Sequence, residues 1–240
     1  CFDAFADRVA EVIDKTVNVD RLLELCTVEF SGEQTEDVVC SGNRKIAIAR
    51  DEAFNFMYRE NVEALKRAGE VVFFSPLRDK SLPEADMVYF PGGYPELHLA
   101  ELAANEEMRQ SVRKYCETGG RVLAECGGMM YLCDTITGDD GKVYPMAGVL
   151  KQGATMEQMK LKLGYREVRV NGQRIRGHEF HYSRILPANE KIPVIGTIYN
   201  AKDMVVDTPV YTYKNVLASY IHFYWGECGM DHFLMLMSQK

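Results

Sequence analysis

Apolar residues recur at helical spacing at the start of the chain. Phe5, Val9, Val12 and Ile13 form one stripe, and Leu22, Leu23 and Leu25 follow Asp20, a plausible N-cap. From Ser31 to Asn43 the pattern gives way to polar residues and two glycines, the composition of a linker. Two short helices offer too little apolar surface for a core of their own. The expected division is therefore 1–42, the remnant of a preceding domain with its linker, and 43–240, the principal domain.

From Lys45 the period changes. Ile46-Ala47-Ile48-Ala49 reads as a short buried strand, and Tyr58 to Ala68 as a helix closed by Gly69 in a left-handed cap. Val71 to Phe74 and Met87 to Phe90 are two more strands, the latter ending in Pro91-Gly92-Gly93. A helical stretch from Glu106 to Thr118 stops at Gly119-Gly120, and the strand Arg121 to Glu125 runs straight into Cys126. Strands alternating with helices in this way predict an α/β fold: a flavodoxin-like, open, mostly parallel sheet with helices on both faces.

Beyond Gly138 the runs become short and rich in Val, Tyr and Ile. Tyr165 to Val170 and Arg174 to Phe180 flank Asn171-Gly172, a strong hairpin signal, and Val194 to Tyr199 and Met204 to Val206 follow. The C-terminal half is therefore expected to add antiparallel hairpins. Val216 to Ile221 reads as the last strand, leading to His222, and Met230 to Met237 as a closing helix.

Charge and composition narrow the function. The chain has 240 residues, 47% of them hydrophobic, so a core can be filled. With 35 acidic against 28 basic residues the net charge is -7, which argues against nucleic acid as a partner. No apolar run approaches the ~20 residues that cross a bilayer, so no membrane is expected. The first residues carry no secretory signal and open without methionine, partway into a helical pattern. Seven cysteines, none in a C-x-x-C pair, argue against a disulfide framework or zinc site, and a reducing cytoplasm is the expected location.

One cysteine stands apart. Cys126 lies between a strand and the helical run Gly127-Gly128-Met129-Met130-Tyr131-Leu132. A strand-to-helix turn this tight strains its central residue and needs small neighbours, which Gly127 and Gly128 supply. The thiol would then project at the carboxyl edge of the sheet, where open α/β sheets bind ligands. Helix N–H groups there favour a thiolate. Cys26, Cys40, Cys116, Cys133 and Cys228 lack this context and read as structural.

The segment Ala124-Glu125-Cys126-Gly127-Gly128-Met129-Met130-Tyr131-Leu132 resembles the nucleophile motif of the cobyrinic acid a,c-diamide synthase family. Phe90-Pro91-Gly92-Gly93-Tyr94-Pro95-Glu96-Leu97, Arg176-Gly177-His178-Glu179-Phe180-His181-Tyr182-Ser183 and Ala218-Ser219-Tyr220-Ile221-His222-Phe223 resemble other segments of that family, in the same order. The resemblance implies a C-terminal glutaminase of class I (triad) type, which supplies ammonia from glutamine. It also implies an N-terminal ATP-binding synthetase domain that uses ATP and magnesium to amidate the a and c carboxylates of a cobyrinate-type macrocycle. The phosphate-cradling pattern G-x-x-x-x-G-K-[ST] is absent from this sequence, so ATP and Mg are expected in that other domain and no cofactor or metal in this one. Other acceptors compatible with the pattern are nickel sirohydrochlorin or a cell-wall lipid, and a non-enzymatic interaction role on the same scaffold is the further alternative.

On this reading Cys126 is the nucleophile and His222 its base, which takes the thiol proton and returns it to departing ammonia. Gly127 and Gly93 are the expected oxyanion donors, each such N–H being worth ~3 kcal/mol. Gly92 and Tyr94, in the same loop, are the further oxyanion or substrate-binding candidates. Class I enzymes carry a glutamate two residues beyond the histidine; here that position is Tyr224. Glu179 is the candidate to orient His222 instead, with Glu227 as alternative. His178 and His181 lack a third ligand nearby in sequence, so they are assigned to recognition of glutamine, macrocycle or synthetase rather than to a metal.

Overall fold

The computed structural model describes residues 2–28, 43–188 and 191–226. The expected linker, the closing helix and Glu227 therefore lie outside the described residues. The chain divides into two compact units, Cys1–Asp37 and Val38–Lys240. In the first, α1 (Phe2–Thr16) is followed by α2 (Val19–Cys26), with neither helix burying a side chain. The N-cap of α2 is Asn18, not the expected Asp20; its side chain accepts from Arg21 N at 2.9 Å.

The second unit opens with β1 (Arg44–Ala49), α3 (Arg59–Ala68), β2 (Gly69–Phe74) and β3 (Met87–Phe90). A 3-10 turn at Pro95–Leu97 leads to α4 (Leu99–Ala104) and α5 (Glu106–Glu117), then β4 (Arg121–Glu125) and α6 (Gly127–Leu132). Next come β5 (Cys133–Thr137), β6 (Val143–Pro145), β7 (Leu150–Thr155), β8 (Lys162–Val170), β9 (Gln173–His181) and β10 (Arg184–Ile185). The described chain ends with β11 (Thr197–Asn200), β12 (Val210–Tyr213), β13 (Val216–Ser219) and β14 (Ile221–Tyr224).

The main sheet has the order β12-β13-β4-β3-β1-β2. All its pairings are parallel except β12 with β13. Its central strands are apolar on both faces, as a doubly covered parallel sheet requires. Ile46, Ile48, Met87, Tyr89 and Leu123 share a core with Leu65 of α3, whereas Ala47, Ala49, Val88, Phe90, Val122 and Ala124 share one with Met108 and Val112 of α5 and Met129 of α6. The α/β reading with helices on both faces is thus the observed one.

Two antiparallel or mixed sheets follow, β10-β7-β5-β6 and β11-β8-β9-β14. The hairpin at Asn171-Gly172 forms as expected, with both residues at positive φ, 51° and 76°. Three details differ from the sequence reading. Gly69 has φ 173°, so it is no left-handed cap; it is glycine because a Cβ there would sit 2.1 Å from the Arg44 carbonyl oxygen. Met204 to Val206 forms only the isolated bridge Tyr199↔Val205 rather than a strand. Finally, Val216 to Ile221 is not one strand: the chain leaves the main sheet at Tyr220, and His222 lies inside β14, paired with β9.

Candidate active site at the β4–α6 turn

Cys126 has φ 46° and ψ -105°, a region that side chains rarely occupy. The turn is held on both sides, because Cys126 N donates to Ser219 O at 2.7 Å and Gly128 N donates to Pro91 O at 3.1 Å. The two glycines are there for space. A Cβ on Gly128 would lie 2.3 Å from Phe90 O, and one on Gly127 would lie 2.7 Å from Pro95 Cδ and 3.2 Å from Gly93 N. Gly127 is the first residue of α6 with its amide facing the Cys126 sulfur, and among the described residues Gly93 donates to no backbone carbonyl, so both amides lie beside the turn.

The loop after β3 separates cysteine from histidine. Gly93 (φ 155°) passes so close to Ala53 that a Cβ would meet its carbonyl oxygen at 2.1 Å. On the other side, a Cβ on Gly92 would lie 2.2 Å from Cε1 of His222. The sulfur therefore sits beyond Gly93 and the imidazole against Gly92. They do not hydrogen-bond in this structure: the thiol instead meets the carbonyl oxygen of Phe180 at 3.9 Å. Protein surroundings explain this resting arrangement. Burial, with Glu96 nearby, pushes the Cys126 thiol up to about 12. Burial pushes His222 down to about 3. Both groups rest neutral, and a neutral thiol takes a carbonyl acceptor.

The cavity at the sulfur has a volume of about 30 Å³, with Gly93, Tyr94, Glu96, Cys126 and His181 among its walls. It shares His181, Tyr182 and Ser183 with a neighbouring cavity of about 500 Å³, which Lys160 and Arg184 also line.

Glu179 does not orient His222. It is fully buried and receives Arg166 Nε at 2.7 Å, Thr208 Oγ1 at 2.9 Å and His181 Nε2 at 2.8 Å. The reason is strand alternation: neighbouring residues of β9 face opposite ways, and it is His178 that stands directly across from His222. Burial pushes the Glu179 carboxyl up, but the His181 hydrogen bond, Lys162, Thr208 and Arg166 outweigh it and hold it at about 2. His181 Nδ1 also lies 2.7 Å from Ser183 O, and the ring stacks on Tyr220 at 3.6 Å, which fixes it beside the Cys126 cavity.

Two buried polar residues that the sequence reading passed over hold β14 in place. Asn61 donates to Phe223 O at 2.7 Å and accepts from Trp225 N at 2.9 Å. Glu125 accepts from Tyr89 OH at 2.8 Å and from Phe223 N at 3.2 Å. Polar residues inside an otherwise apolar pattern were the only signal available for them. Burial pushes the Glu125 carboxyl up to about 8, against those two hydrogen bonds. A folded-state value above the ordinary 4.5 contributes stability that is complete below about 4.5 and is lost as pH rises through about 8. Glu125→Gln cannot ionise, so its urea stability is expected to stay flat between about pH 5 and about pH 8 where the wild type declines. Parallel pH slopes for the two proteins would refute that.

A cysteine raised on a strand-to-helix turn, at the carboxyl edge of a sheet of this order, is the plan of a triad-type glutamine amidotransferase fold. Solved structures agree on the fold: PurLQS from Thermotoga maritima superimposes with a TM-score of 0.52 at 18% identity, over 75% of this chain and 87% of that one. A crystal structure of a glutamine amidotransferase gives 0.52 at 22% identity, over 81% and 99%. The chain belongs to the CobB/CobQ-like glutamine amidotransferase domain family, whose model matches residues 45–229. It is 35% identical to the cobyrinate a,c-diamide synthase of Salmonella typhimurium over 91% of this chain. It is also 37% identical to the hydrogenobyrinate a,c-diamide synthase of Pseudomonas aeruginosa over 92%. In each case it spans 50% of the relative's length. The chain is thus a glutamine amidotransferase unit about half as long as the curated relatives it matches.

Proposed function

We propose that this unit hydrolyses glutamine at Cys126, with His222 as base, and supplies the ammonia for amidating carboxylates of a cobyrinate-type macrocycle. The observation that carries the reading is Cys126 itself, held at φ 46° with the amides of Gly93 and Gly127 beside it. Substrate entry re-aims the thiol from Phe180 O toward the imidazole. Sulfur then attacks the side-chain amide carbon while His222 takes the thiol proton. The carbonyl oxygen becomes an oxyanion that the two N–H groups receive. The carbon–nitrogen bond breaks, the imidazolium proton leaves with ammonia, and water cleaves the glutamyl thioester to glutamate.

The acceptor follows the relatives' names, and the synthetase domain with its ATP and magnesium follows the family resemblance. The a and c carboxylates would be amidated in a synthetase domain corresponding to the half of the relatives that this chain does not span. ATP and magnesium would bind there. Among the described residues no group of three or more His, Cys, Asp or Glu could hold a metal ion, and no helix is long and apolar enough to cross a membrane. Division of the chain near residue 42 into a synthetase remnant and a glutaminase, and action in the cytoplasm, complete the proposal.

The direct test is a glutamine-mimicking electrophile. It should add one adduct mass, mapped by peptide analysis to Cys126 and prevented by excess glutamine. Labelling spread over several cysteines, or unaffected by glutamine, would remove the basis for the scheme.

A further inference from the structure

We infer that Tyr58 and His178 position the ring of His222, in place of the carboxylate that triad enzymes carry two residues beyond the base. The inference rests on His222 being the base, as proposed above. His222 is buried, and its Nδ1 has no hydrogen-bond partner among the described residues. Tyr224, at the position where the carboxylate would stand, turns its ring to Tyr58 at 5.4 Å instead. A buried imidazole with one idle nitrogen needs another means of holding its orientation.

The structure supplies one by stacking. His178 is the direct cross-strand partner of His222, and their rings lie nearly parallel, 4.8 Å apart at 16°. Phe56 meets the His222 ring edge-on at 4.6 Å and the His178 ring at 5.7 Å. Gly92 closes another side, because only a residue without Cβ fits against Cε1. His178 is fixed in turn by Tyr58, whose hydroxyl lies 2.5 Å from its Nδ1. A phenol donating to Nδ1 leaves the proton of a neutral imidazole on Nε2. Burial acts in the same direction, lowering His178 and raising Tyr58, so both stay uncharged.

That neutrality matters for the chemistry. When His222 takes the thiol proton it becomes a cation with no counter-charge at Nδ1. A neutral ring offers its π face to that cation, whereas a protonated His178 would repel it. Tyr58 thus acts on His222 only through His178, and both are positioning residues rather than catalytic ones.

The ordering Tyr58, then His178, then His222 is tested by a double-mutant cycle on the whole chain. His178→Ala is expected to lower kcat for glutamine at least about tenfold with KM within about twofold, since the base is misplaced and not the substrate. His178→Phe keeps an aromatic face and should stay within about threefold of wild type. Tyr58→Phe should lower kcat in the wild-type background and have no effect in the His178→Phe background. A His178→Ala kcat less than about tenfold below wild type, or a Tyr58→Phe loss equal in both backgrounds, overturns the inference. Nitrogen NMR of the imidazoles gives a readout independent of turnover. His178 should show the Nε2–H tautomer in wild type and lose it in Tyr58→Phe, and a spectrum unchanged by that substitution also overturns the inference. A wild-type chain that neither turns over glutamine nor accepts the electrophile at Cys126 instead defeats the underlying glutaminase reading.

Discussion

Cys126→Ser is expected to cut glutamine turnover at least about 1,000-fold while leaving the fold intact. Serine is close in size and can occupy the same strained turn, whose geometry depends on the Cys126 amide, on Gly127 and on Gly128 rather than on sulfur. A hydroxyl is a far weaker nucleophile than a thiol at neutral pH, and the proposed base is poorly suited to compensate, because burial holds His222 down at about 3. The result should be a protein with wild-type melting behaviour, loss of kcat and no electrophile adduct. On the proposed scheme, ammonia-dependent amidation by a full-length protein carrying the same change should persist, since free ammonia bypasses the cysteine. Glutamine turnover retained within tenfold would require another nucleophile and defeat the assignment.

The largest expected effect on stability is at Glu179. Its fully buried carboxylate compensates Arg166, itself buried, and also meets Lys162 at 3.2 Å and His181 at 2.8 Å. Glu179→Ala leaves that guanidinium without its counter-charge, a change that typically costs about 3–5 kcal/mol. Glu179→Gln keeps the shape and should cost less. The sign of the pH dependence follows from the carboxyl lying at about 2, below its ordinary 4.5. The stability it contributes is complete above about 4.5 and is lost as pH falls toward about 2. Urea unfolding should therefore show a wide gap between wild type and Glu179→Ala near neutral pH that narrows in acid. A gap that is constant with pH would mean that packing, not charge, is what the carboxylate supplies. Because His181 hangs from the same carboxylate beside the Cys126 cavity, Glu179→Ala should also disturb that cavity.

How far the sequence reached depended on how local each feature is. The strand-to-helix turn at Cys126, the glycines after it and the Asn171-Gly172 hairpin are set by residues within a few positions of one another, and the structure has all three. The alternation of strands and helices up to Glu125 was equally local, and it gave the parallel sheet. Family resemblance added His222, which no periodicity singles out.

Other features depend on which strand lies beside which. Glu179 and His178 are adjacent in sequence, yet the pleat of β9 sends one toward Arg166 and the other toward His222. Only the pairing of β14 with β9 decides which is which, and that pairing requires the chain to leave the main sheet at Tyr220. Asn61 and Glu125 read as unremarkable polar positions until β14 passes over them and needs partners for its backbone. The same holds for Gly92, which reads as a turn residue until the His222 ring packs against it. By itself the sequence determined the strained turn at Cys126 and the layered sheet, because backbone sterics and apolar periodicity act over short distances. The tertiary structure alone decided what surrounds the histidine, because contacts such as Tyr58 with His178, 120 positions apart, arise only when distant parts of the chain pack together.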